Sequence, residues 1–183
     1  MSKTKQFGFI LGLIILALAS RVLNAYVPFL GNFAPVTAIA LFGAVTFEKR
    51  WMSLVLPISL MFISDVIIAQ INGLSVIHHY TAFVYGAFML VNVFGIFAKK
   101  NFGTAKMFGM SLAASVVFFL VSNFGVWFDV QSGYARSFQG LIDCYVMGLP
   151  FFQWTILGDL LFTTVLFGAY NVFTRTLMQA EKQ

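Results

Sequence analysis

Polar side chains are scarce in this chain, and the few that could do chemistry are unevenly placed. Arg21, Asp65 and Asp159 each sit within long apolar runs. A charge in such a run costs at least about 2.5–3.5 kcal/mol on insertion scales, so it must face protein, an opposite charge or water. Arg21 can pair with Asp65 or with Asp159. The preferred reading of Asp159 is a structural pair with Arg21, which would be costly to break because one charge would be stranded. The other reading is a proton relay or cation site, since a carboxylate deep in apolar sequence is the type of group that does such work.

His78 and His79 are the histidine pair of the sequence. Adjacent residues do not share a helix face, so they lack the i, i+4 spacing of a helical zinc site. One neutral imidazole could still be an axial ligand to a metal already held in a macrocycle; otherwise both cap a solvated loop. Cys144 is the single cysteine, so no internal disulfide can form. A thiolate there could ligate a soft metal. Asp143 beside it opposes thiolate formation by like charge, and a packed thiol is the preferred reading.

The remaining polar and aromatic residues gather where helices are expected to end. Asp65, His78, His79, Tyr80, Asn123, Trp127, Tyr134, Arg136, Tyr145 and Trp154 are the candidates for a ligand pocket walled by aromatics and rimmed by polar groups. The competing reading makes the tryptophans and tyrosines interfacial belt residues.

The elements that must position these residues follow from composition. The 183 residues are 60% hydrophobic and 9% charged, and mean hydropathy is +0.91. Ordinary soluble domains are about 25% charged. Such a chain cannot coat a water-facing surface, which sets aside a soluble enzyme, a disordered tail and a nucleic-acid binder. Spanning helices need roughly 20 apolar residues each, and six spans fit at approximately 7–27, 33–47, 51–69, 80–98, 105–127 and 149–173. Lys3 and Lys5 before an apolar run, with Ala17-Leu18-Ala19, also resemble a signal peptide; the run is read as the first span. The sixth span is placed from Pro150, a favoured first-turn residue, after a polar segment over 128–147. Pro57 is a candidate kink in the third.

With six spans both termini share one side. That side collects nine of the eleven basic residues: Lys3, Lys5, Lys49, Arg50, Lys99, Lys100, Lys106, Arg175 and Lys182. The positive-inside rule makes it cytoplasmic. The net charge of +5 is then a topology signal rather than a nucleic-acid signal. The expected fold is an all-α integral membrane protein, a single six-helix domain with both termini cytoplasmic. Gly8 with Gly12 and Ala40 with Ala44 have the small-xxx-small spacing of a helix-packing face, within the monomer or against a partner. No G-x-x-x-x-G-K-[ST] run is present, so the chain has no P-loop for ATP.

The run from Arg21 through Pro28 and that from Asn32 through Ala44 resemble the opening of a family of small bacterial membrane proteins of unknown function, described as transport proteins. The likeness continues through Pro57, Ser64-Asp65, Phe118-Phe119, Asn123 to Trp127, Gly140-Leu141, Cys144-Tyr145, Leu149 to Phe152 and Gly158-Asp159-Leu160. More loosely, the plan is similar to the substrate-binding S components of energy-coupling-factor (ECF) vitamin transporters. That resemblance implies a vitamin-sized ligand captured near the outer face, and a separate coupling subunit with ATPases. Solitary cobalamin transporters of that type hold cobalt through an axial cysteine in an outer loop. Here the corresponding region carries His78-His79, and Cys144 lies in another segment, so cysteine-based chemistry does not carry over.

The leading expectation is therefore a transport protein, not an enzyme, that takes up a vitamin or cofactor precursor, with a corrinoid as one candidate. A structural subunit of a larger membrane complex is the second reading. A membrane enzyme using Asp159, Asp65 or Cys144 is the third, and no nucleophile–base–orienter set is evident for it.

Overall fold

A computed structural model describes residues 3–27, 33–98 and 103–180. These residues form six helices: α1 (Lys3–Asn24), α2 (Val36–Thr46), α3 (Arg50–Asn72), α4 (Thr81–Ala98), α5 (Thr104–Phe128) and α6 (Phe138–Ala180). A short 3-10 turn, Val130–Ser132, links the last two. Lys99, Lys100 and Lys182, like Pro28 and Asn32, lie outside the described residues. Four stretches are long and apolar enough to cross a membrane: Thr4–Asn24, Arg50–Asn72, Ala105–Phe128 and Phe138–Thr176. Their outer faces expose large apolar side chains such as Leu16, Phe62, Leu120 and Leu161. That surface suits lipid better than water, and the helices are compatible with a multi-pass membrane protein.

α2 is the centre of the bundle. It has 11 residues, about 16 Å at 1.5 Å per residue, or half the hydrocarbon thickness. Nine of those residues are buried, and the helix touches all five others. Its small residues allow this. A Cβ on Gly43 would lie 2.7 Å from Pro57 Cγ of α3, and one on Gly95 of α4 would lie 2.6 Å from the Ala44 Cβ. Ala40 lies on the same buried surface, and its carbonyl accepts from Asn92 Nδ2 at 3.1 Å. Ala40 and Ala44 thus pack inside the chain. Gly8 and Gly12 do not: both are exposed, and a Cβ on either would meet nothing within 4 Å. The expected α1 packing face makes no close contact among the described residues.

The largest departure from the sequence expectation is α6. It begins at Phe138 rather than near Pro150, and runs 43 residues through that proline. Ser137 supplies the start: its Oγ accepts from the Gly140 amide at 3.1 Å, the geometry of an N-cap serine on the third helical residue. Half of the polar segment over 128–147 is therefore helix. At the other side of the same end, α3 stops at Gly73, whose φ of 64° is left-handed. Glycine meets that conformation without steric cost, and the chain turns there into the 73–80 loop.

Candidate functional site

The ends of α1, α3, α4 and α5 nearest these loops surround a cavity of about 590 Å³. Ligand pockets commonly span about 300–1,000 Å³. Its polar centre is a network crossing three helices. Arg21 Nη2 pairs with Asp65 Oδ1 at 2.6 Å, and both side chains keep just under a fifth of their surface exposed. Arg21 Nη1 donates to Ser64 Oγ, and the Tyr85 phenol donates to the other Asp65 oxygen. The carboxylate thus joins α1 to α3 and α4. Arg21 pairs with Asp65 and not with Asp159, which corrects the preferred sequence reading. Register explains it: Arg21 is in the last turn of α1 and Asp65 in the last third of α3, while Asp159 lies deeper.

Asn24, Asn72, Ser122 and Asn123 add polar lining around this network. Asn24 Nδ2 donates to the Phe33 carbonyl at 2.9 Å, tying α1 to the segment that enters α2. His78 and Tyr80 line this cavity and a second one of about 600 Å³ over the loops. Their rings stack with centroids 5.2 Å apart. Burial, reinforced by the nearby Asp129 carboxylate, raises the Tyr80 phenol above its ordinary value, so it remains a neutral hydrogen-bonding group at neutral pH. His79 is exposed and lines the second cavity only.

Of the ten pocket candidates, Asp65, His78, Tyr80 and Asn123 converge on the first cavity, and His79 joins the second. Trp127, Tyr134, Arg136, Tyr145 and Trp154 line neither. Several brace the corner between α5 and α6 instead. Trp127 Nε1 donates to the Ala135 carbonyl at 3.0 Å. The Arg136 guanidinium lies 4.7 Å from the Phe128 ring centre and donates to the Phe128 carbonyl. The Tyr145 hydroxyl donates to the Leu120 carbonyl at 2.8 Å. Tyr85 and Thr155 are lining residues that the sequence reading missed. Tyr85 carried a signal: it stands one turn into an apolar helix that begins beside His78-His79-Tyr80.

Cys144 is buried and its thiol donates to the Asn123 carbonyl at 3.4 Å. It lines neither cavity, as a packed thiol would behave. No group of three or more His, Cys, Asp or Glu among the described residues is arranged to hold a metal.

Asp159 is wholly buried on α6. Its Oδ1 accepts from the Thr37 and Ala38 amides at 3.2 and 3.3 Å. Its Oδ2 accepts from Ser115 Oγ of α5 at 2.7 Å. The first amides of a helix have no intrahelical partners, and Pro35, which precedes α2, offers no side-chain cap. A residue 121–122 positions away therefore caps α2.

Five helices around a buried half-length sixth, with a polar cavity at one end, define an all-α bundle of a kind compatible with a multi-pass membrane protein. The chain belongs to a family of unknown function (DUF6580), which it matches over residues 1–180. No curated protein and no solved structure matches it.

Proposed function

We propose that this protein is a substrate-binding membrane transport protein of the bacterial cytoplasmic membrane, which captures a vitamin-sized molecule in the cavity centred on Asp65. The carrying observation is that cavity, with an ion pair, carboxamides and a stacked His78-Tyr80 pair converging on one concave space. Apolar walls bury the body of a ligand, and a few fixed polar groups set its orientation. Orientation follows from charge. Lys5, Lys49, Arg50, Lys106 and Arg175 belong to the end opposite the cavity, and an excess of basic residues marks the cytoplasmic side. Both termini are then cytoplasmic and the cavity opens outward.

Capture outside and release inside require the bundle to reorient, the mode of action that a loose similarity of plan to the ECF S components implies. Without a P-loop in this chain, ATP-driven uptake would run through a separate coupling subunit and ATPases. Within the ligand class, a corrinoid would have to use His78, the imidazole shared by both cavities, because Cys144 is turned into the α5–α6 packing.

The test is native mass spectrometry of the detergent-purified protein, followed by calorimetry with a vitamin panel that includes cobalamin. A retained or bound small molecule, lost or weakened at least tenfold in Asp65→Ala, is the expected result. A protein that binds none of the panel and copurifies with a stable partner subunit would instead support the structural-subunit reading. The exposed Gly8 and Gly12 face of α1 is the observation that favours that second reading.

A further inference from the structure

Below the cavity floor, the hydroxyls around Asp159 form a set that can satisfy the carboxyl group in two protonation states. Ser115 Oγ lies 2.7 Å from Asp159 Oδ2 and 3.0 Å from the Ser111 carbonyl, both as donor. A hydroxyl has one hydrogen and can serve one of them at a time. With Asp159 ionised, that hydrogen goes to Oδ2. With Oδ2 protonated, the acid donates to Ser115 Oγ, and the serine hydrogen turns to the Ser111 carbonyl. Oδ1 keeps its two α2 amides in both states. No buried donor or acceptor among these is stranded by the change, and stranding is what usually makes such a change expensive.

Two further observations point the same way. The Thr37 side chain is wholly buried and faces this carboxyl group as a further hydroxyl able to bond to it. Among the described residues no charged side chain contacts Asp159: α2 faces it with amides and Thr37, and α5 with Ser115. A carboxylate deep among apolar helices with no cationic partner is the arrangement expected of a proton-carrying group rather than of a structural ion pair. Access is short. Val36, Phe118 and Thr155 line the cavity, each within about one helical turn of Thr37, Ser115 or Asp159, and a turn rises about 5.4 Å.

We infer that Asp159 is a reversible proton-binding site loaded from the cavity. A proton supplied by water in the cavity adds to Oδ2, one O–H bond forms, and the Ser115 hydroxyl reverses direction. The site stands whether or not the cavity binds a vitamin, so each idea can fail alone.

The experiment is an infrared pH titration of the full-length, detergent-purified protein with no ligand added, following the C=O stretch of protonated carboxyl groups. It compares wild type, Asp159→Asn, Asp65→Asn and Ser115→Ala. A band that titrates reversibly in wild type and in Asp65→Asn, and is lost in Asp159→Asn, is expected. If Asp159→Asn does not fold, Ser115→Ala decides. Removing the hydroxyl that accepts from the acid must shift the band to higher frequency. No titrating band in wild type, a band that persists in Asp159→Asn, or a band unmoved in Ser115→Ala would overturn the assignment.

Discussion

Asp65 ties two helices to its own in the cavity, because Arg21 and Tyr85 both bond to it. The two partners are not equal. Tyr85→Phe removes one neutral donor, and hydrogen bonds between membrane helices average about 0.6 kcal/mol. Asp65→Ala leaves the Arg21 charge half-buried against Ser64 alone, and should cost about 2–3 kcal/mol. Thermal unfolding in detergent should rank the variants in that order. Equal losses would mean that Tyr85, not the ion pair, organises the site. The sequence marks Arg21, Asp65 and Asp159 as anomalous charges but does not pair them. Pairing depends on how deep each residue sits along its helix, and three charges spread over 139 positions carry no such register. The hydroxyl residues on the faces that α5 and α6 share around Asp159 left a fainter trace. Thr155, Asp159 and Thr163 recur at i, i+4 on α6, and Ser111 with Ser115 on α5. Polar residues repeating every four positions in apolar helices share a face.

Among the elements, α2 predicts the sharpest contrast. Gly43→Ala and Gly95→Ala push a methyl into Pro57 and Ala44, and overpacking a core costs about 1–3 kcal/mol. Gly8→Ala and Gly12→Ala add a methyl to open space and should leave the thermal midpoint unchanged or slightly raised, since alanine favours helix over glycine. A loss of stability in Gly8→Ala would reveal a partner seated on α1. Ser137→Ala should cost about 1 kcal/mol through loss of the α6 cap, read by the same melt. Helix existence was legible throughout because apolar runs broken by Glu48-Lys49-Arg50 and by the 73–80 loop leave few alternatives. The start of α6 was not. Pro150 is a strong start signal and Ser137 a weaker one. Membrane helices tolerate an interior proline where neighbouring groups and local adjustments satisfy the freed backbone.

For the molecule as a whole, orientation is the property that gives the cavity a meaning. It can be read with the single native thiol removed. In a Cys144→Ala background, Ser75→Cys and Gln131→Cys should react with a membrane-impermeant maleimide added to intact cells. Lys49→Cys and Lys106→Cys should react only after lysis. The reverse pattern would put the cavity on the cytoplasmic side and end the uptake proposal. The half-length α2 also bears on how such a chain is made. At about 16 Å it is too short to hold itself across a bilayer, and among the described residues the amides of Thr37 and Ala38 find their acceptor in Asp159. During synthesis, the second helix must therefore wait, uncapped, while more than a hundred further residues are added. Only the arrival of the last helix lets it settle, so the centre of the bundle is the last part to be finished.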